Sequence, residues 1–482
     1  MKKAKQQEEV VVEVKQEQKK EESVIMKEES KKEQEEVKKE KQEENKPVKS
    51  INFPELVDVV LDPDGKVVYL VKDKDNLSIS RRWITKEEIF ITPSKTKMPF
   101  KLVNAGDVFY RYYSKMYRKP LYKKVENYFR KACYLTDEQF LLVSLYVFAT
   151  YLRDHKDIRY MPIILFFAEP ERGKTRIGRS MINISYRGIH TVNLLAPSIF
   201  RYTNDHRASI FFDVMDFWND TLKSGIKDIF LLGFEKGATI SRVLYPDRGA
   251  FDDTKAYDVF GPMIIATNQA VHHILGTRCI EISTPNMPGE YTDYLATDKV
   301  VLNLKAMLTV WKAEVMDNPL PLVEKVDGIN GRLWDISQTL LKVCKMVCPE
   351  KYDILISALL KQAKGRAEDK KESVEGRIIN IIYELSTRTF SKWIMTSAVL
   401  DRVNDNIPES RKYTSQWLGR KLKSLGVKTE RSTGLSRMSI EQPVLEKLYD
   451  QYGCKISNEV DTDDMDNSDN SDNTEKLIKL VQ

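Results

Sequence analysis

Residues 160–185 read YMPIILFFAEPERGKTRIGRSMINIS. Ile163 to Phe167 is an apolar run of strand length, and Ile177, Met181 and Ile184 recur at i, i+4 and i+7, the spacing of one helix face. Between them lies AEPERGKT, Ala168 to Thr175. This strand–loop–helix predicts a phosphate-binding loop, because successive main-chain N–H groups and a helix N-terminus then converge on a polyphosphate. Ala168, Glu169, Pro170, Glu171, Arg172 and Gly173 would form the turn. The Lys174 ammonium would reach the β- and γ-phosphates, and the Thr175 hydroxyl would ligate Mg2+. The usual pattern opens with glycine; Ala168 stands there, so the loop must avoid a positive φ at that position. A bare Gly-Lys-Thr is a weak signal, and the strand and helix around it make this one specific for nucleotide.

Downstream, ASIFFDVMDFWND (208–220) offers a second buried strand, Ile210 to Phe212, ending on Asp213. A carboxylate at a strand's carboxyl edge is where Mg2+ is held beside such a loop. Val214 follows where a water-polarising Glu is usual, and the next acid is Asp216, which either serves through a shifted geometry or is a capping residue with slow hydrolysis as the result. A third strand, GPMIIATNQAV (261–271), ends on Asn268, whose amide can orient water against a γ-phosphate. In HHILGTRCIEI (272–282) Arg278 precedes a fourth strand. GRLWDISQTLLKVCKMV (331–347) puts Arg332 at the start of a helix with Ile336, Leu340 and Val343 on its apolar face. Short apolar runs alternating with helical segments make the class α/β.

This order of loop lysine, strand Asp, strand-end Asn, arginine before a strand and arginine on a helix resembles the AAA+ branch of the P-loop NTPases. The resemblance implies ATP and Mg2+ as ligands, Arg278 as an arginine finger acting on a neighbouring protomer, Arg332 as a sensor on a helical lid, and a homo-oligomeric ring. Over roughly residues 120–365 the phrases YKKVENYFRKACYL, GATISR and FGPMIIATN followed by TRCIEIS resemble ATPases of phages, plasmids and integrative elements that act as primase-associated helicases. That implies single-stranded DNA as substrate and a primase as partner; no primase active site is visible in 51–120.

Between Asp213 and Asn268, GATISRVLYP alternates like a strand and PDRG marks a turn. A hairpin here, carrying Lys236, Arg242, Arg248 and Lys255, resembles the pore hairpin of viral-type and archaeal replicative helicases, with Tyr245 available for stacking. The alternatives are an edge hairpin packed on the next subunit, and Arg242 as a rival for the finger role.

Residues 373–452 read as three helices (GRIINIIYEL, TSAVLDRVND, YTSQWLGRKLKSLGV) and a hairpin (VKTERSTGLSRMSI), which predicts a winged helix. Leu418, Leu422 and Leu425 would be the buried face of the third helix, with Thr414 or Ser415 as its cap. Arg420, Lys421, Lys423, Arg431 and Arg437 would face phosphates, Gln416 and Arg420 would reach base edges, and Trp417 is a core candidate. Such modules also dock on proteins, so duplex DNA and a protein partner both stay open.

The expected division is therefore a Lys/Glu-rich tail (1–50), a small α+β region (51–120), the P-loop core (121–289), a helical lid (290–365), the winged helix (373–452) and an acidic tail (455–482). Over 482 residues the charge is +6. The 14 Lys and 14 Glu of 1–50 cancel and the acidic end is negative, so 51–458 carries about +12, which suits a polyanion partner. No apolar run approaches the ~18 residues of a spanning helix, and the sequence begins without an apolar signal core, so no membrane association and a cytoplasmic location are expected. Five Cys are too few for a disulfide scaffold. Cys344 and Cys348 share a helix face without a second Cys/His pair, which argues against zinc. The first functional expectation is a Mg-ATP-dependent DNA helicase or translocase. The alternatives are a nucleotide-gated replication initiator or regulator that hydrolyses slowly, and a remodeller of proteins.

Overall fold

The computed structural model describes residues 47–85, 88–115, 120–249, 252–284, 296–432 and 434–454. The acidic stretch 455–482 and the Lys/Glu-rich stretch up to residue 46 lie outside them. Of the tail expected at 1–50, Val48 and Lys49 belong to the fold, since they pair in parallel with Phe90 and Ile91. The described residues divide into two compact units after Gln362, within a helix spanning Tyr352–Glu372. Among them no helix is long and apolar enough to cross a membrane.

The first unit opens with an antiparallel sheet of β1 (Leu56–Leu61), β2 (Val67–Asp73) and β3 (Asn76–Ser80). A DPDG turn, Asp62 to Gly65, joins β1 to β2. Asp62 accepts the Gly65 N–H on its carbonyl and the Lys66 N–H on its carboxylate, and Gly65 takes φ 75°. Helices α1 (Ala105–Ser114), α2 (Leu121–Ala132) and α3 (Asp137–Tyr151) follow. Helix α3 starts on a capping box between Thr136 and Gln139 and is buried nearly all round, as its apolar run requires.

At the centre lies a five-stranded sheet of β4 (Ile163–Phe167), β5 (Ile189–Thr191), β6 (Ile210–Asp213), β9 (Met263–Thr267) and β10 (Cys279–Ser283). Its spatial order is β10-β4-β9-β6-β5, with every neighbouring pair parallel. A parallel sheet is covered on both faces, so its strands read as unbroken apolar runs. On one face Ile163, Leu165, Phe212 and Ile265 pack with Phe217, Ile229 and Phe230. Tyr146 of α3 donates its hydroxyl to the Met263 carbonyl. Two further strands of this unit, β7 (Thr239–Val243) and β8 (Thr254–Asp258), form the expected hairpin, a separate antiparallel ribbon.

Helix α4 (Lys174–Ile184) follows β4 and buries Ile177, Met181 and Ile184, the stripe read from the sequence. Gly178 lets it approach the sheet: a Cβ there would stand 2.2 Å from the buried Phe211 ring. Gly178→Ala is therefore expected to destabilise by about 1–3 kcal/mol through overpacking. Chemical denaturation of both proteins checks this, and an unchanged midpoint would mean that Phe211 moves freely.

Helices α5 (Asp298–Val315) and α6 (Gly331–Val347) belong to this unit. Helix α5 is embedded against β1, α1 and α4 through apolar side chains such as Leu304, Leu308 and Trp311, and it carries in two cations satisfied by main-chain oxygens: Lys305 Nζ donates to Ser185 O at 2.8 Å and Lys312 Nζ to Val57 O at 2.6 Å. Burial lowers both lysine pKa values to about 8. Nearby, buried Arg187 joins Asp58 Oδ1 (2.8 Å), Ile51 O (2.9 Å) and His206 O (3.1 Å). These contacts bind the N-terminal sheet to the central one within the first unit.

The second unit contains α7 (Val374–Arg388), α8 (Thr396–Asn404), α9 (Ser415–Ser424) and α10 (Pro443–Tyr452) around a sheet of order β11-β13-β12, from β11 (Trp393–Met395), β12 (Thr429–Ser432) and β13 (Leu435–Ser439). Ile378, Ile382, Leu418, Leu422 and Met438 share its core. Leu425 is half-buried, Thr414 accepts the Trp417 N–H as the helix cap, and Trp417 stacks on Tyr413 at 3.9 Å while packing against the core.

Candidate functional site

In this sheet the strands point one way, so the loops after β4, β6 and β9 emerge together at their carboxyl ends, where open α/β sheets place ligands. A cavity of about 790 Å³ lies there, lined by Pro170 to Thr175 of the loop, by Asp213, Val214 and Met215, by Thr267 and Asn268, and by residues of α4.

Positive φ falls at Glu171 (63°) and Gly173 (76°), and not at Ala168, so alanine meets the requirement set by the sequence. Lys174 is 7% exposed. Its Nζ donates to Ala168 O (2.6 Å) and Glu169 O (2.5 Å), tying the loop's entrance to its exit. Burial lowers the Lys174 pKa, Asp213 opposes that shift, and Arg172 adds to it. Thr175 Oγ1 donates to Asp213 Oδ1 at 3.1 Å, although 38 residues separate them in sequence. Hydroxyl and carboxylate thus meet beside the loop as a Mg2+ site needs. Magnesium commonly binds through one or two protein groups plus phosphate oxygens, so this donor set fits the ion although no group of three His, Cys, Asp or Glu occurs among the described residues.

Asn268 lines the cavity, its main-chain N–H held by Met215 O at 3.1 Å. Asp216 does not line it. It precedes the helix Phe217–Lys223 and accepts from Asn219 Nδ2 at 2.8 Å, while Val214 faces the cavity. Arg278 is at the amino end of edge strand β10, the opposite end of the sheet. It is 9% exposed, and its guanidinium donates to Leu231 O (2.7 Å), Ile274 O (2.5 Å) and Thr277 Oγ1 (3.3 Å). Arg332 joins it, donating to Thr277 Oγ1 at 3.2 Å, and both guanidiniums lie over the Phe234 ring. Neither lines the cavity.

Sequence reasoning missed three neighbours of the site. Arg176 and Arg179 line the cavity from α4. His190 Nε2 stands 3.8 Å from Asp213 Oδ2, and its ring stacks on Phe211. Burial and then Arg179 lower the imidazole pKa, which Asp213 partly offsets. The signal for the arginines was present in GKTRIGR, as cations three residues apart beyond the loop.

On the hairpin, Arg242 of β7 and Lys255 of β8 are directly opposite, both exposed, and Val243, Leu244 and Tyr245 beyond them are exposed too. Lys236 differs: its Nζ donates to Asp154 O (3.2 Å) and His155 O (2.9 Å) at the hairpin base. The Arg248 side chain lies outside the described residues. In the second unit Gln416, Arg420, Lys423 and Arg431 are exposed. Lys421 pairs with Glu375, and Arg437 with Glu430 at 2.8 Å. Cys344 and Cys348 are buried with their sulfurs 3.8 Å apart.

No family model and no curated protein sequence matches the chain. Among solved structures it is similar to the A-form apo C-terminal region of NrS-1, at 11% identity and TM-score 0.31, covering 79% of this chain and 95% of that one. It is also similar to Cdc6p from Pyrobaculum aerophilum, at 14% identity and TM-score 0.17 over 66% of this chain and 95% of that one. A third is the Aeropyrum pernix ORC2 protein in ADPNP–ADP complexes, at 13% identity and TM-score 0.17 over 67% and 95% of the two chains.

Proposed function

We propose that this chain is a Mg2+-dependent ATPase of AAA+-like build that works on DNA, as a helicase or translocase of a mobile genetic element. The observation that carries this is the 3.1 Å contact of Thr175 with Asp213 beside buried Lys174, under a cavity at the carboxyl ends of the strands. Loop amides and Lys174 hold the β- and γ-phosphates, while Thr175 and Asp213 hold the metal. When bound, Mg2+ neutralises charge on the oxygens between the phosphates, which is most of what phosphoryl transfer demands. The Asn268 amide orients the attacking water. Arg278 stands too far along the sheet to serve its own site; its finger role requires a neighbour in a ring and release from its carbonyl partners. Arg332, bonded to the same Thr277 hydroxyl, shares that distance, so its lid-sensor role carries the same requirement.

The exposed Arg242–Lys255 pair and the Tyr245 ring support a hairpin that grips single-stranded DNA by its phosphates and stacks on its bases. The second unit is read as a winged helix offering Gln416, Arg420, Lys423 and Arg431 to duplex DNA, and a primase is the expected partner. The test is ATP turnover by the full chain with and without single-stranded DNA. Stimulation is expected in the wild type and its loss in R242E/K255E, with basal turnover within roughly twofold and the salt slope of DNA binding reduced by about two. Stimulation that survives the double variant would remove the hairpin from the DNA path, and no stimulation in the wild type would favour a protein remodeller.

Val214 in the cavity and Asp216 outside it favour a second reading, a slowly hydrolysing nucleotide-gated initiator or regulator. Strand displacement separates the two, since the regulator binds DNA without displacing a strand.

A further inference from the structure

Four cations, Arg172, Lys174, Arg176 and Arg179, line the candidate cavity, against two acids, Glu171 and Asp213. Lys174 is committed to the loop carbonyls and Arg172 pairs with Glu169 at 3.1 Å. Arg179 is exposed on α4 and has no hydrogen-bonding or ion-pair partner among the described residues. Thr175 and Arg179 are four apart, so they occupy one helix face. Side chains on a helix lean toward its N-terminus, which carries the long Arg179 side chain back toward the level of Thr175 and the loop. Thr175 in turn meets the Asp213 carboxylate at 3.1 Å. Arg179 is thus on the Thr175–Asp213 side of the cavity, toward which the terminal phosphate of a bound triphosphate would extend.

We infer that Arg179 is a specificity-determining residue that takes the terminal phosphate of a nucleoside triphosphate from within the same chain, an inference resting on the nucleotide reading of the site. Its planar fork suits two phosphate oxygens at once. Discrimination between triphosphate and diphosphate is then a property of the single protomer, in contrast to any role of Arg278, whose donors are spent at the other end of the sheet.

The test is equilibrium binding of a non-hydrolysable Mg-ATP analogue and of Mg-ADP to the full chain. Arg179→Ala is expected to weaken the analogue about tenfold or more and ADP by less than about twofold, the effect of one charge-assisted contact made only to the added phosphate. Arg179→Lys should recover part of the loss, because it keeps the charge without the fork. The position is exposed on a helix, and thermal melting confirms that both variants fold. Equal weakening of both nucleotides, or no weakening, would overturn the inference while leaving the site reading intact. A wild-type chain that binds neither nucleotide would overturn both.

Discussion

Lys174→Ala is expected to lower ATP turnover at least about 100-fold, the loss typical of removing one preorganised charge partner from a reacting centre. The lysine has two tasks that alanine abolishes together. On the proposed reading its ammonium would meet the β- and γ-phosphates, and its hydrogen bonds to Ala168 O and Glu169 O hold the loop in shape. Because burial has already removed part of its hydration, its attraction to an anion is less screened than that of a surface lysine. Phosphate release measured with melting curves on the same samples separates lost chemistry from lost folding. Turnover at the wild-type rate in folded Lys174→Ala would refute the site.

Arg187→Met is expected to cost about 3–5 kcal/mol of stability, because it leaves Asp58 buried beside an apolar side chain. Unfolding entropy grows by about 2 cal/mol/K per residue, so in a unit of this size 1 kcal/mol moves the melting temperature by only about 1.5 °C, and a fall of roughly 5–8 °C is anticipated. The arginine sits at φ 47° with its guanidinium on Asp58, Ile51 and His206, and Lys312 reaches the adjacent Val57 carbonyl. Asp58→Asn combined with Arg187→Met should recover part of the loss by removing the stranded charge. Calorimetry of the single and double variants checks both statements. A single variant that melts with the wild type would mean that the N-terminal sheet holds on by its apolar contacts alone.

The parts of the site legible in the sequence are those built from local pattern. The β4–loop–α4 unit, Asp213 ending β6 and Asn268 following β9 each announce themselves by an apolar run of strand length with a polar residue at its end, and the fold gathers all three at one edge. Parts that depend on distant partners were not legible. Lys236 looks like a cation for DNA until Asp154 and His155 bring their carbonyls to it. Lys421 and Arg437 look equally free until Glu375 and Glu430 pair with them. Arg278 and Arg332 fit an expected order along the chain, yet order does not reveal that one aromatic ring, Phe234, underlies both. Arg187, Lys305 and Lys312 resemble ordinary surface cations because the groups that neutralise or solvate them come mainly from elsewhere in the chain. Gly178 has no sequence signal beyond being a glycine in a helix; only the Phe211 ring explains it.

The loop between β4 and α4 makes its left-handed turns at Glu171 and Gly173. Position 168 is thereby released from the one demand that only glycine meets without strain. A methyl group there narrows the conformations of the unfolded chain, where glycine would widen them. Chains of this architecture can therefore lose the opening residue of the motif at no geometric cost. A pattern search that insists on glycine at that place would pass over them, whereas one keyed to the pairing of a helix-start threonine with a strand-end aspartate would not.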